Sequence, residues 1–217
     1  GLAYALLGAA CMVQFLVGLL PGLLLGPALL WSLYRQRRDR PGLAGPLVGI
    51  TVWIGGACAV YLPMVLGGTT GEIDSELFFT LYAQIRHPHH ILPSHWPWAQ
   101  WLDWACLSGA AWVLWPNRTA RVVIATSIGA VMVGVVFTEL VPVSLFAKLQ
   151  LARTTPFGLL IALAAAGVAA THAWREGRRG VAVAFALAPL GPWPGAALLG
   201  LSLVRRWGTG LPGWIMA

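Results

Sequence analysis

The sequence predicts an all-α, polytopic integral membrane protein, and three observations support that prediction. The 217-residue chain is 58% hydrophobic and only 10% charged, and its apolar blocks are too long for the core of a soluble domain. Several blocks reach the roughly 20 residues that a helix needs to cross a hydrocarbon layer about 30 Å thick. The arginines fall in short loops between the blocks. We therefore expect a single transmembrane helical bundle over residues 1–217, with six spans or seven.

The spans are taken in chain order. Leu2–Tyr34 is too long for one straight span and is interrupted near Pro21 and Gly22, which predicts either a kinked helix or a tight hairpin there. Four windows are expected to be single spans: Leu43–Leu66, Trp101–Trp115, Val122–Val141 and Pro156–Trp174. Val181–Val204 is split by "PLGPWPG", and each half is too short to cross alone. We favour re-entry here, which returns residues 205–206 to the side on which the window begins.

The basic loops predict the orientation. "RQRRDR" (35–40), "NRTAR" (117–121) and "REGRRG" (175–180) fall at alternate ends of successive spans, which is the positive-inside pattern. We expect these loops in the cytoplasm of a bacterial inner membrane and the loop 67–100 outside. The net charge of +7 is explained by these loops, so membrane lipids are expected as partners and nucleic acid is not.

Smaller features concern packing and processing. Cys11, Cys58 and Cys106 lie singly in apolar runs and are expected to be packing residues. "GPLVG" (45–49) matches the small-xxx-small pattern, which indicates close helix approach. The chain begins with Gly, and no basic segment precedes its first apolar run. We therefore expect no cleavable signal peptide and a chain that is part of a longer polytopic protein.

The outer loop 67–100 is predicted to contain an interfacial helix over about 75–86, which Asp74 can cap. Its apolar face would be formed by Leu77, Phe78, Leu81, Tyr82 and Ile85. Such a helix lies in the plane of the membrane surface. Pro88 ends the helix, and the proline-rich stretch that follows is expected to be extended or turned.

"RHPHHILPSHWP" (86–97) contains four of the five histidines in the chain, and three interpretations are open. The first is a divalent metal site, with a carboxylate from Glu72 or Asp74 and imidazole ligands from His87, His89, His90 and His95. The second is recognition of a phosphate or pyrophosphate headgroup by arginine and imidazolium donors, completed by Lys148 and Arg153. In the third interpretation the histidines are purely structural, and their imidazoles donate hydrogen bonds to backbone carbonyls across the turn.

Glu139 lies near the outer end of an otherwise apolar predicted helix. A carboxylate at that depth is costly unless it is paired or faces a wet cavity. Arg153 is its predicted partner, because a short outer segment joins the two residues. A structural ion pair and a catalytic or proton-coupled role are both open.

At "RHPHHILPSHW" the chain resembles a group of uncharacterised bacterial polytopic membrane proteins that carry an Arg-x-Pro-His-His-x-x-Pro-Ser motif in an extracytoplasmic loop. The matching positions are Arg86, Pro88, His89, His90, Pro93 and Ser94. Those proteins are similar, more loosely, to glycosyltransferases of the GT-C type, which use polyprenyl-phosphate-linked sugars on the outer face of the membrane.

This resemblance implies a lipid-linked phosphorylated substrate handled as part of a glycosyltransferase. Phosphate would be bound by Arg86, His89, His90 and Arg153, while Glu139 or Asp74 would orient these groups or coordinate a metal. In the larger class the catalytic acidic residue lies in a first outer loop that precedes this chain, so no catalytic residue is carried over.

Two other classes of function are open. A transporter or channel-like module is suggested by Glu139 and by the proline-broken apolar runs at both ends of the chain. A structural membrane subunit, whose outer loop binds a partner protein, fits the same residues.

Overall fold

The computed structural model describes residues 1–36, 40–66, 75–114 and 117–207. All secondary structure in these ranges is helical, which confirms the all-α prediction. The helices are α1 Leu2–Val13, α2 Phe15–Gln36, α3 Arg40–Leu66, α4 Ser75–Phe79, α5 Pro88–Ile91, α6 Trp98–Leu114, α7 Arg118–Val135, α8 Ser144–Leu149, α9 Thr155–Arg175, α10 Arg179–Leu187 and α11 Pro192–Trp207. Two π-helices, Thr80–Arg86 and Val136–Leu140, continue α4 and α7, and short 3-10 turns cover Pro93–His95, Leu151–Thr154 and Ala188–Leu190.

Helices of spanning length and apolarity place the chain in the class of membrane proteins. Four such segments occur among the described residues: Phe15–Arg35, Ala44–Pro63, Arg118–Leu140 and Ser144–Arg175. By contrast, α1 has 12 residues and α10 has nine, fewer than the roughly 20 needed to cross. The count of six or seven spans is not confirmed and stays a prediction.

The chain forms two compact units. The first consists of Gly1–Pro93 and Gly129–Thr154, and the second of Ser94–Ile128 and Thr155–Ala217.

The first apolar window is a helical hairpin, but its turn is not where the sequence predicts it. The chain breaks at Gln14, whose backbone is extended (φ −146°, ψ 112°), and Pro21 lies inside α2. The Tyr4 hydroxyl donates to the Gly22 carbonyl at 2.9 Å, so α1 folds back along α2. Proline is tolerated inside such helices because neighbouring groups satisfy the backbone around it.

Glycines set the contact between α1 and α3. A Cβ atom on Gly8 would lie 2.6 Å from the Val52 carbonyl oxygen, and one on Gly56 would collide with the Gly8 carbonyl oxygen. Gly49 makes the same kind of approach to Gly1. Because Gly1 meets Gly49 and Gly8 meets Gly56, the two helices run parallel with their backbones in direct contact, as small residues permit in membrane helices.

In the second unit, α11 runs parallel to α6. The Trp98 and Trp193 ring centroids are 6.2 Å apart, and further along both helices a Cβ atom on Gly109 would lie 3.3 Å from a methyl carbon of Leu199. The predicted break in "PLGPWPG" is present at Gly191, whose φ of 150° suits glycine. The last helix therefore ends at the same end of this unit as α6.

We predict that Gly56→Ala lowers the unfolding temperature, whereas Gly55→Ala does not. The Gly56 position has no room for a methyl group, and an added Cβ on Gly55 meets no described atom within 4 Å. Overpacking costs about 1–3 kcal/mol, while alanine at an open helical position gains up to about 1 kcal/mol over glycine. Thermal unfolding in detergent measures both variants, and equal melting temperatures would contradict the α1–α3 packing.

Candidate functional site

Three of the predicted histidines lie together on a single helical turn, residues 87–91, which we call the histidine turn. The His89 and His90 ring centroids are 4.1 Å apart, and those of His87 and His90 are 5.9 Å apart. The stretch was predicted to be extended or turned, and it forms turns: Pro88 occupies the first position of the four-residue α5, where a missing N–H costs no helical hydrogen bond.

Buried residues hold the histidine turn in place. Ile91 is 1% exposed and packs in an apolar cluster with Phe79, Ala83, Leu92 and Ala147. The Thr138 hydroxyl, which donates to the Gly134 carbonyl at 2.8 Å, also lies 3.3 Å from the Ile91 carbonyl oxygen. The π-helix that carries Glu139 therefore lies beside the histidine turn.

The helix preceding the turn covers the predicted range 75–86. Three residues of its predicted apolar face, Leu77, Leu81 and Ile85, are exposed, whereas Phe79 and Ala83 are buried. The second half is a π-helix, in which each N–H bonds the carbonyl five residues back instead of four. The location of this helix in the plane of the membrane surface stays a prediction.

A row of rings joins Lys148 to the histidine turn. The Lys148 ammonium lies 4.9 Å from the Phe78 ring centroid, and Phe78 stacks on Tyr82 with centroids 5.1 Å apart. Tyr82 meets His87 edge to face at 5.6 Å. We call this series, Lys148–Phe78–Tyr82–His87, the aromatic ladder.

Gln150 supports the ladder from an unusual backbone position. It ends α8 with φ 48° and ψ 51°, a left-handed conformation uncommon for residues other than glycine. Its side-chain amide donates to the Tyr82 hydroxyl at 2.8 Å. The residue is 6% exposed, and its Oε1 has no hydrogen-bond partner among the described residues. A buried acceptor is thus available beside the histidine turn.

Lys148 also lines an apolar cavity of about 330 Å³ in the first unit. The other lining residues are Phe15, Leu19, Ala57, Cys58, Tyr61, Leu145 and Leu149. Cys58, expected to be a packing residue, is exposed and lies in this lining. Lys148 is therefore the single cation of the lining and at the same time the first member of the aromatic ladder.

Electrostatics in the histidine turn favour a neutral His90. Burial lowers the pKa of His90 below its usual value, and the positive charges of Arg153, His89 and His87 lower this pKa further. In the absence of an anion these effects favour the neutral form of the His90 ring. Arg153 lies in the turn Leu151–Thr154, close enough to act on His90 electrostatically.

The other predicted site residues have varied surroundings. Arg86 ends the π-helix with an exposed side chain, His89 is exposed, and Glu139 and Arg153 are half-buried. His95 is exposed and belongs to the second unit. The ion pair between Glu139 and Arg153 stays a prediction.

The metal site also stays a prediction. No group of three or more His, Cys, Asp or Glu side chains that could hold a metal ion occurs in the part of the chain that the structure describes. The two carboxylates predicted to join the histidines, Glu72 and Asp74, lie outside the described residues.

Sequence reasoning missed Gln150 and the polar role of Tyr82. The available signal was the presence of one amide in the apolar stretch 142–155, since a buried amide requires partners. Tyr82 was assigned to an apolar face on helical spacing alone, although its hydroxyl requires a partner when the ring is buried.

The fold defines the chain as a helical protein with segments long and apolar enough to span a membrane. No protein-family model, no curated protein and no solved structure matches this chain.

We predict that Tyr82→Phe and Gln150→Leu each lower stability and that their effects are not additive. Either change removes one partner of a partly buried hydrogen bond, which costs up to about 1–3 kcal/mol, whereas replacing both partners with apolar groups costs less. A double-mutant cycle from thermal or denaturant unfolding in detergent measures the coupling. Strictly additive effects would show that the hydrogen bond contributes nothing.

Proposed function

We propose that the first unit binds a lipid whose headgroup carries a phosphate or pyrophosphate. One observation carries the proposal: Lys148 lines the apolar cavity and also begins the aromatic ladder that leads to the histidine turn. Lys148 therefore lines a cavity suited to a hydrocarbon chain and also begins the row of rings that ends at a cluster of nitrogen donors. An amphiphile with an anionic head matches that arrangement.

The cavity suits the hydrocarbon part of the ligand. Its volume of about 330 Å³ falls in the range of about 300–1,000 Å³ that is common for small-molecule sites. Apart from Lys148 the lining is almost wholly apolar, and part of it belongs to Phe15–Arg35 and Ala44–Pro63, which have spanning length and apolarity. The molecules that surround such helices in a bilayer are lipids.

The histidine turn and its neighbours suit the headgroup. Lysine and arginine are the common phosphate-binding cations, and Lys148 and Arg153 supply one of each. Phosphate oxygens require donors, which the His90 ring provides, and the buried Gln150 Oε1 can accept a hydrogen bond from a hydroxyl of the ligand. The motif assigns two more residues to the same headgroup: Arg86, which directly precedes this turn, and His89, which lies within it.

The reaction in this proposal is glycosyl transfer from a polyprenyl-phosphate-linked sugar at the outer face of a bacterial inner membrane. It is supported by the Arg-x-Pro-His-His-x-x-Pro-Ser stretch, since that motif overlaps the histidine turn. Glu139 would orient the phosphate-binding groups, and its position in a π-helix fits such a role because π-helical turns are frequent at functional sites. The exposed stripe of Leu77, Leu81 and Ile85 would rest on the lipid surface.

Binding of farnesyl phosphate, with farnesol as the uncharged analogue, tests the headgroup and the tail separately. We expect Arg153→Gln and Lys148→Gln to weaken farnesyl phosphate binding by about tenfold or more, since a charged hydrogen bond contributes about 1.5–3 kcal/mol. Farnesol binding should change little in either variant. Ala57→Phe fills the cavity and should weaken binding of both ligands, as measured by titration calorimetry or fluorescence in detergent.

Two matched controls accompany this test. Ala59→Phe adds the same ring on an exposed position of α3 that does not line the cavity, and Arg121→Gln removes an arginine from the second unit. Wild-type protein that binds farnesol as tightly as farnesyl phosphate would contradict the headgroup site. Equal losses in Ala57→Phe and Ala59→Phe would contradict the tail site.

We also predict that farnesyl phosphate binding is linked to proton uptake by His90. The unliganded turn holds the pKa of His90 below its usual value, whereas a bound phosphate favours the imidazolium and raises that pKa. The wild-type affinity, relative to His90→Asn, should therefore increase as the pH falls from about 7 to about 5. The comparison with His90→Asn removes the titration of the phosphate itself, and parallel pH profiles would exclude the linkage.

A further inference from the structure

A second groove lies in the second unit, between the end of α9 and the body of α10. Its volume is about 360 Å³, and it is lined by Ala170, Thr171, Trp174, Arg175, Ala182, Val183 and Ala186. Three of the seven lining residues are alanines, so the two helices leave a shallow apolar channel between them. The groove ends at Trp174 and Arg175, the last two residues of α9.

One side of this groove is formed by α10, which is too short to cross a bilayer. α10 has nine residues, about 14 Å of helix at about 1.5 Å per residue, against a hydrocarbon layer about 30 Å thick. α9 belongs to Ser144–Arg175, which is long and apolar enough to span. Five of the seven residues that line the groove are exposed, so it is accessible to a lipid chain: Thr171, Trp174, Arg175, Val183 and Ala186.

Positive charge is concentrated at the end of the groove that carries Trp174. The segment "REGRR" (175–179) contains three arginines and one glutamate. Arg178 pairs with that glutamate, Glu176, while the Arg179 guanidinium lies 5.7 Å from the centroid of the Trp174 ring. Arg175 lines the groove itself and is exposed. Two cationic side chains, Arg175 and Arg179, thus lie at one end of an apolar channel.

We propose that this groove binds an anionic phospholipid. One acyl chain occupies the channel between Ala170, Ala182 and Ala186, and the phosphate lies against Arg175 and Arg179. Charge complementarity selects an anionic over a zwitterionic headgroup, since the phosphate charge of a phosphatidylcholine is balanced by its own choline. Basic pockets between membrane helices are recurrent sites for anionic lipid headgroups, and tryptophan is common at the membrane–water interface.

The groove distinguishes this site from basic residues that only set orientation. Arg35 also lies over a tryptophan ring, 5.5 Å from the Trp31 centroid, but neither residue lines this groove or the cavity of the first unit. If arginine beside tryptophan were sufficient, Arg35 and Arg179 would retain anionic lipid equally. The proposal instead requires that both the charge and the channel contribute.

Lipid titration by native mass spectrometry tests the proposal on the full chain. Delipidated protein in detergent is titrated with phosphatidylglycerol or phosphatidylcholine of identical acyl chains, and the apparent Kd of the first bound lipid is measured. We expect wild-type protein to bind phosphatidylglycerol at least about tenfold more tightly than phosphatidylcholine, the difference that one charge-assisted contact supplies. Arg175→Gln combined with Arg179→Gln should remove that preference.

The channel is tested with a pair of size variants. Ala186→Leu fills an exposed position in the lining, whereas Ala164→Leu adds the same bulk at an exposed position of α9 outside it. We expect Ala186→Leu to weaken phosphatidylglycerol binding by about tenfold and Ala164→Leu to leave it unchanged, with thermal unfolding confirming that both variants fold.

Three results would overturn the proposal: equal wild-type affinity for the two lipids, equal loss in Arg35→Gln and the double arginine variant, or unchanged binding in Ala186→Leu. The last would leave an electrostatic surface without a chain site. Each comparison is repeated in a Lys148→Gln, Arg153→Gln background, which weakens the phosphate site proposed in the first unit, so that the two proposals fail or hold independently.

Discussion

The structure depends on one constraint, which is that backbone N–H and C=O groups in an apolar medium must find partners inside the protein. Straight helices meet it automatically, so the irregular positions show how it is met elsewhere. Near Pro21, which has no N–H to donate, side chains from other helices act as donors: Trp53 bonds the Gly18 carbonyl at 3.1 Å and Tyr4 bonds the Gly22 carbonyl at 2.9 Å. The hairpin is thus held by hydrogen bonds as well as by glycine contacts.

The same constraint explains why the candidate site lies at helix breaks. The histidine turn, the π-helix of Glu139 and the left-handed Gln150 all interrupt regular helix within the first unit. Each interruption frees backbone groups that a continuous helix would consume, and the Thr138 hydroxyl lies 3.3 Å from one of them, the Ile91 carbonyl oxygen. The Gln150 Oε1 remains available to a ligand. A polar site in an apolar protein requires such interruptions, because intact helices offer no backbone groups and few polar side chains.

Apolar block length was sufficient to predict the helical class and most helix positions, because the hydrophobic requirement of a span is local in sequence. The break at Gln14 was missed because the prediction placed the interruption at Pro21 and Gly22. Proline is tolerated inside a membrane helix when neighbouring groups satisfy the backbone around it. The burial of Phe79 and Ala83 was not predicted, because a π-helix has no recognisable sequence signature. Gln150 was missed because its burial depends on Tyr82, a partner 68 residues away. The sequence did indicate four candidate residues, His87, His89, His90 and Arg153. Charged and titratable residues of this kind are easily recognised in an apolar sequence.

The two proposed ligand sites use different cations, and this difference has a consequence for how each responds to its surroundings. The groove between α9 and α10 relies on arginines, whose charge persists at every physiological pH. A lipid held there is retained constantly, as suits a structural role. The histidine turn contains His90, whose pKa is lowered by its burial and by the charges of Arg153, His89 and His87. If the turn binds a phosphate as proposed, its affinity would follow pH and ligand charge, which would permit release once the phosphate is transferred or altered. A site that must exchange its ligand is better built from such groups than from arginine alone.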